Sequence, residues 1–149
     1  MKTIVICFSA EQGKTRKIAE ALSRGIGADL FEIRPEQPYT PAELRWINPF
    51  ARCNTEKRKK ADVPVVGKVE NWDEYDTVYL GFPIWYYAAP NVVCTFCKGY
   101  DWSGKTVHIF ATSGSSGIGK TAEKLEPYVK GAVIADAKRV TSAEEIGAF

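Results

Sequence analysis

Five consecutive apolar residues, Ile4-Val5-Ile6-Cys7-Phe8, constrain this chain more than any other feature. The run is rich in β-branched side chains and has no polar alternation. That pattern predicts a strand buried on both faces, the kind found inside a parallel sheet covered by helices above and below. The rest of the chain keeps to the same scheme. A polar turn, Ser9-Ala10-Glu11-Gln12-Gly13, follows the run. Ile18, Ala19, Leu22 and Ile26 then recur at helical spacing, with Gly25 and Gly27 as stop signals. Asp29-Leu30-Phe31-Glu32-Ile33 alternates as a second strand. Residues 77–82, 106–111 and 132–135 predict strands three to five. Between them, residues 90–100 and 118–129 predict helices, with Pro90 suited to a first turn and Pro127 to an early close. Ser142 and Glu145 have the spacing of a capping box ahead of a last short helix.

Residues 34–68 break the alternation. They hold five of the eight prolines, the basic run Lys57-Arg58-Lys59-Lys60, and the aromatic residues Trp46 and Phe50. We read them as a long irregular connection carrying a short helix around 41–47. No internal repeat and no linker divides the 149 residues, so one domain spanning 1–149 is expected. Strands alternating with helices predict an α/β, three-layer sandwich: a parallel sheet with helices on both faces.

Composition narrows the function classes. Hydrophobic residues make up 45% and charged residues 26%, ordinary values for a soluble globular protein. Apolar stretches of only a few residues predict no membrane span. The five-residue apolar run is also too short for a secretory signal. Four cysteines without an export signal predict reduced thiols and a cytoplasmic protein. A formal net charge of +2 gives no support for a nucleic-acid partner. The Lys57–Lys60 run reads first as a solvated surface.

In doubly wound sheets, ligands bind beyond the carboxyl ends of the strands. That rule selects residues 9–15, 83–87 and 112–117, the three most unusual loops of the chain. The first offers hydroxyls, a glycine and the amides of a helix start, which suit a phosphate. A plain N-cap and turn is its bland alternative. The second, Pro83-Ile84-Trp85-Tyr86-Tyr87, places three aromatic side chains in a row, as for stacking on a flat ligand. The alternative there is packing on a neighbouring helix or a partner. The third, Thr112-Ser113-Gly114-Ser115-Ser116-Gly117, offers small hydroxyls and exposed amides to the polar edge of a heterocycle, or is a simple connector.

Three stretches carry a family resemblance over nearly the whole chain. They are residues 8–19, residues 79–86 and residues 110–119. The sequence resembles the short flavodoxin-type FMN proteins. Flavodoxin loops usually read Ser/Thr-x-Thr-Gly-x-Thr, and here the first loop is one residue longer, with Glu11-Gln12 in place of a single Thr or Ser. The resemblance implies a five-stranded sheet in the order 2-1-3-4-5 and FMN as cofactor. It implies that Ser9, Ala10, Gln12, Gly13, Lys14 and Thr15 hold the phosphate. Pro83, Ile84, Trp85 and Tyr86 would form the aromatic side of the flavin site, with Trp85 and Tyr86 flanking the ring. Thr112, Ser113, Gly114, Ser115 and Gly117 would meet its polar edge or the ribityl chain.

The implied function is electron transfer to a redox partner protein or a small-molecule acceptor, by a monomer or homodimer. An FMN-dependent NAD(P)H/quinone-type reductase is the near neighbour. Carriers of this family are typically acidic, and this chain is slightly basic. A less negative potential than an acidic relative would have is therefore expected. No side chain stands out as an acid, base or nucleophile, so no catalytic residue is named.

Rival motifs remain. Residues 114–121, Gly-Ser-Ser-Gly-Ile-Gly-Lys-Thr, match the P-loop pattern for nucleoside triphosphates in full, between a predicted strand and a predicted helix. Too little chain follows for such a domain, and the aromatic loop is left unexplained. A flavin-free scaffold of the same fold is a further alternative. Cys94 and Cys97 have redox dithiol spacing, but Cys97 falls on the apolar face of its helix and reads as core. His108, the single histidine, falls mid-strand, and no metal-ligand spacing surrounds it.

Overall fold

The computed structural model describes residues 2–8, 13–35, 65–83, 91–112 and 121–140, with Ser142 and Ile146. Strand β1 (Lys2–Cys7) is the apolar run, and it is buried throughout its second half: Val5, Ile6 and Cys7 are 0% exposed. Its even positions, Ile4 and Ile6, with Phe8 beyond, enter one core, while Val5 and Cys7 enter another. A pleated strand alternates its side chains, so an unbroken apolar run serves two layers at once.

Helix α1 (Lys14–Ile26) returns along β1 and buries Thr15, Ile18, Ala19 and Leu22. It ends at Gly27, whose left-handed conformation (φ 67°) lets its amide reach the Ser23 carbonyl. Gly25, read as a stop signal, stays helical. Strand β2 (Asp29–Glu32) then pairs with β1 in parallel. Strands β3 (Arg34–Pro35) and β4 (Val65–Val66) form a separate two-residue antiparallel ladder. Elements of two residues are too short to show a periodicity.

Strand β5 (Tyr75–Pro83) lies on the other side of β1, followed outward by β6 (Thr106–Thr112) and β7 (Val133–Arg139). The five-stranded sheet is parallel, in the order β2-β1-β5-β6-β7. Counting only its own strands, that is the expected 2-1-3-4-5. Strand β7 runs four residues past the expected end because its outer part is polar. Lys138 and Arg139 are exposed, as suits an edge strand, and hide the pattern.

Helix α2 (Asn91–Lys98) buries Val92, Val93, Phe96 and Cys97 on the face opposite α1. Helix α3 (Thr121–Leu125) adds Leu125 there and tightens into a 3-10 turn, Glu126–Tyr128, at Pro127. On the α1 side, Val140 and Ile146 complete the second core. Helices thus cover both faces of the sheet. The helix expected at 41–47, residues 118–120, Pro90 and Glu145 lie outside the described residues. Among the described residues, no helix is long and apolar enough to cross a membrane.

Candidate functional site

Three strands end side by side at the carboxyl edge of the sheet. Cys7 pairs with Gly81 across β1 and β5, and the Phe8 amide donates to the Gly81 carbonyl at 2.9 Å. Pro83 pairs with Thr112 across β5 and β6. The segments after these strands therefore leave from neighbouring points. In chain order the sheet grows from β1 first to β2 and then, on the other side, to β5. This edge is the switch point of the fold.

Among the described residues, helix α1 starts here without the usual stabilising groups. Its N-cap, Gly13, is left-handed (φ 66°, ψ 22°), offers no side-chain cap, and has open space where a Cβ would stand. The first turn has no acidic residue. Instead Lys14, Arg16 and Lys17 are exposed there. Cations at a helix N-terminus oppose the macrodipole by about 0.3–1 kcal/mol each. The first amides of a helix also lack intrahelical acceptors. A bound anion offsets both defects together, since it accepts from the amides and neutralises the cations. The residues present therefore fit a phosphate group.

Thr15 is buried in that first turn, and its Oγ1 lies 2.8 Å from Oγ1 of buried Thr112, the last residue of β6. This hydrogen bond joins the start of the first loop's helix to the root of the third loop. Beneath it, the Phe110 ring lies against the backbone of Gly81 and fills the space a side chain would take. Nearby, Arg16 Nε meets Glu20 at 3.0 Å and Glu32 at 3.5 Å, and Arg34 meets Glu32 at 3.8 Å. Glu32 is the last residue of β2, so the network ties α1 to that strand.

The buried thiols of Cys7 and Cys97 are not poised for chemistry. Burial, followed by the Glu32 charge, pushes the Cys7 thiol up to about 12. Burial likewise holds the Cys97 thiol well above its ordinary range, with Cys94 adding to it. A thiolate nucleophile needs the opposite. His108 sits mid-strand on β6, stacked on Tyr79 at 4.6 Å, with Nδ1 3.0 Å from Asp136 Oδ1. That pair arises from the β6–β7 register and lies four residues below Thr112. Among the described residues, no group of three His, Cys, Asp or Glu gathers as for a metal ion.

Of the residues singled out from sequence, Gly13, Lys14, Thr15, Pro83 and Thr112 are described, and they stand together at this edge. Ser9, Ala10, Gln12, Ile84, Trp85, Tyr86, Ser113, Gly114, Ser115 and Gly117 lie outside the described residues. Sequence reasoning missed the Arg16–Glu32–Arg34 network. The Arg16–Glu20 spacing was legible as an i,i+4 pair, but Glu32 joins only through the β1–β2 pairing.

A five-stranded parallel sheet whose chain order reverses at the edge where α1 begins defines a doubly wound α/β protein. The comparisons sharpen that class. A flavodoxin family model matches residues 2–146, and the chain belongs to the flavodoxin family. A protein of Bacteroides eggerthii assigned as a flavoprotein is 38% identical with a TM-score of 0.90, over 99% of this chain and 94% of that one. Its counterpart from Bacteroides uniformis is 35% identical with a TM-score of 0.89, over 97% and 94%. A Lactobacillus acidophilus flavoprotein, solved in complex with FMN, shares the fold at a TM-score of 0.73 and 19% identity, over 93% and 92%. Among curated proteins no sequence matches.

Proposed function

We propose that this chain binds FMN at the carboxyl edge of its sheet and works in electron transfer. The observation that carries the reading is the start of α1: an uncapped left-handed glycine, a first turn of cations, and a buried threonine bonded to the end of β6. Membership of the flavodoxin family, together with the FMN held by the Lactobacillus acidophilus relative, favours a flavin over a nucleoside triphosphate at 114–121. Gly13, Lys14 and Thr15 would hold the phosphate, with Ser9, Ala10 and Gln12 completing the loop. Trp85 and Tyr86 would flank the ring, and Ser113, Gly114, Ser115 and Gly117 would meet its polar edge, with Thr112 beneath them bonded to Thr15. The cofactor supplies uptake and release of one or two electrons, while the protein sets its orientation, its exposure to water and the local charge.

An absorption spectrum of the purified protein, before and after adding FMN and removing the excess, tests the reading. Flavin bands retained by the wild type and weakened by Trp85→Ala are expected. A protein that stays colourless and leaves FMN fluorescence unquenched overturns it. NAD(P)H oxidation with and without a quinone then separates a carrier from a reductase.

A further inference from the structure

Resting on the FMN reading above, we infer that Thr112 is a positioning residue: its hydroxyl holds Thr15 in the rotamer that donates to the cofactor phosphate. The two oxygens are 2.8 Å apart and both side chains are buried, at 2% and 5% exposure. Geometry alone leaves the direction of the bond open. The chemistry of the ligand fixes it. Each hydroxyl has one proton and two lone pairs. A phosphate dianion only accepts, so a Thr15 hydroxyl that serves it has given up its single proton. Its oxygen can then only accept from Thr112. The anion therefore sets the whole chain in one sense, Thr112 to Thr15 to phosphate.

Thr15 needs such a guide. It is the second residue of α1, so its i−3 and i−4 positions precede the helix and no helical carbonyl fixes its hydroxyl. Nothing at the Gly13 cap imposes a choice, since that residue has no side chain. Thr112 can impose one because it ends β6, fixed by its pairing with Pro83, while Thr15 starts a helix packed on that sheet. The bond spans 97 positions of sequence and rests on rigid elements at both ends. The effect on the cofactor passes through Thr15 alone, so it concerns the phosphate and not the ring.

Titrating the apoprotein with FMN and with riboflavin, which lacks the phosphate, isolates that effect. Thr112→Val keeps the shape and removes the donor. The FMN-to-riboflavin affinity ratio should fall about tenfold, as expected for losing one charge-assisted hydrogen bond. Thr112→Ser should restore the ratio and Thr112→Ala should not, a comparison that stands even if the valine variant fails to fold. Thr15→Val should lower the ratio equally, and adding Thr112→Val to it should change nothing further. A Thr112→Val variant that loses FMN and riboflavin by the same factor overturns the inference, as does additivity in the double variant. A wild type that binds neither flavin overturns the FMN reading itself, which is a different result from an unchanged ratio.

Discussion

At the residue scale, the site depends on side chains that are absent as much as on those present. Gly81 is the clearest case. Its φ is unexceptional, so freedom of the backbone does not explain it. A Cβ there would fall inside the van der Waals envelope of the Phe110 ring. Phe110 is 1% exposed, in a core shared with Cys7, Ile18 and Leu22, and has no room to retreat. Overpacking of this kind costs roughly 1–3 kcal/mol. Gly81→Ala should therefore lower stability by that amount, read as a lower midpoint of urea unfolding, and Gly81→Ala with Phe110→Leu should recover part of it. A Gly81→Ala variant as stable as the wild type would show that the ring moves freely. The sequence hid this contact, because Gly81 reads as a small residue in a strand and only the β5–β6 pairing brings it opposite Phe110. It hid the Thr15–Thr112 bond for the same reason. Both residues were legible as site candidates, but their direct contact depends on where α1 crosses the sheet.

At the element scale, legibility follows length and burial. Strand β1 and helix α1 announce themselves because one is an unbroken apolar run buried on both faces and the other carries one apolar stripe, Ile18, Ala19 and Leu22, against the sheet. Strand β7 outruns its apolar pattern because its exposed half is polar, and the β3–β4 ladder is too short to carry a pattern. One element is held by a side chain that composition marks as surface. Lys105 is only 6% exposed at the foot of β6, and its Nζ donates to the carbonyls of Trp72 and Tyr75. It also lies 4.6 Å from the centre of the Trp72 ring. These carbonyls flank the 3-10 turn Trp72–Glu74 that leads into β5. The buried amine thus joins that turn to the neighbouring strand, with a cation–π contact in support. Lys105→Met keeps most of the stem's packing but strands the two carbonyls. A stability loss of about 1–3 kcal/mol is expected from the unmet acceptors, read as a lower urea midpoint. Because this end of the sheet is remote from α1's first turn, FMN affinity should hold in the folded variant. A coupled loss of affinity would mean that the turn and the site are linked.

At the scale of the whole molecule, the small net charge conceals an uneven distribution. Among the described residues, the carboxyl edge carries Lys14, Arg16, Lys17, Arg34 and Arg139, all exposed. Two described carboxylates stand on the same edge: Glu32, between Arg16 and Arg34, and Glu123, in the first turn of α3 beside Lys124. The amino edge is close to balance: Asp29, Asp73, Glu74, Asp76 and Asp101 are interspersed with Lys2, Arg24, Lys98 and Lys130. Among the described residues, this edge is thus more positive than the amino edge. An FMN phosphate would neutralise about two of those cations and leave a positive rim. Five strands spaced by about 4.8 Å make that rim roughly 20 Å wide. The Debye length is about 30 Å at 0.01 M salt, so there the rim acts as one charge. At 0.15 M it is about 8 Å, and the cations act separately. Collective steering of an anionic reactant should then be visible as a salt effect on rate. Reduced holoprotein should pass electrons to ferricyanide with a rate constant that falls about tenfold from 0.01 to 0.3 M salt. Hexaammineruthenium, a cation, should show the opposite trend. Reversing charge in Lys17→Glu with Arg34→Glu should flatten or invert both dependences, while circular dichroism reports an intact fold. Stopped-flow rates that ignore salt for both acceptors would show that electrons leave by a face other than this edge.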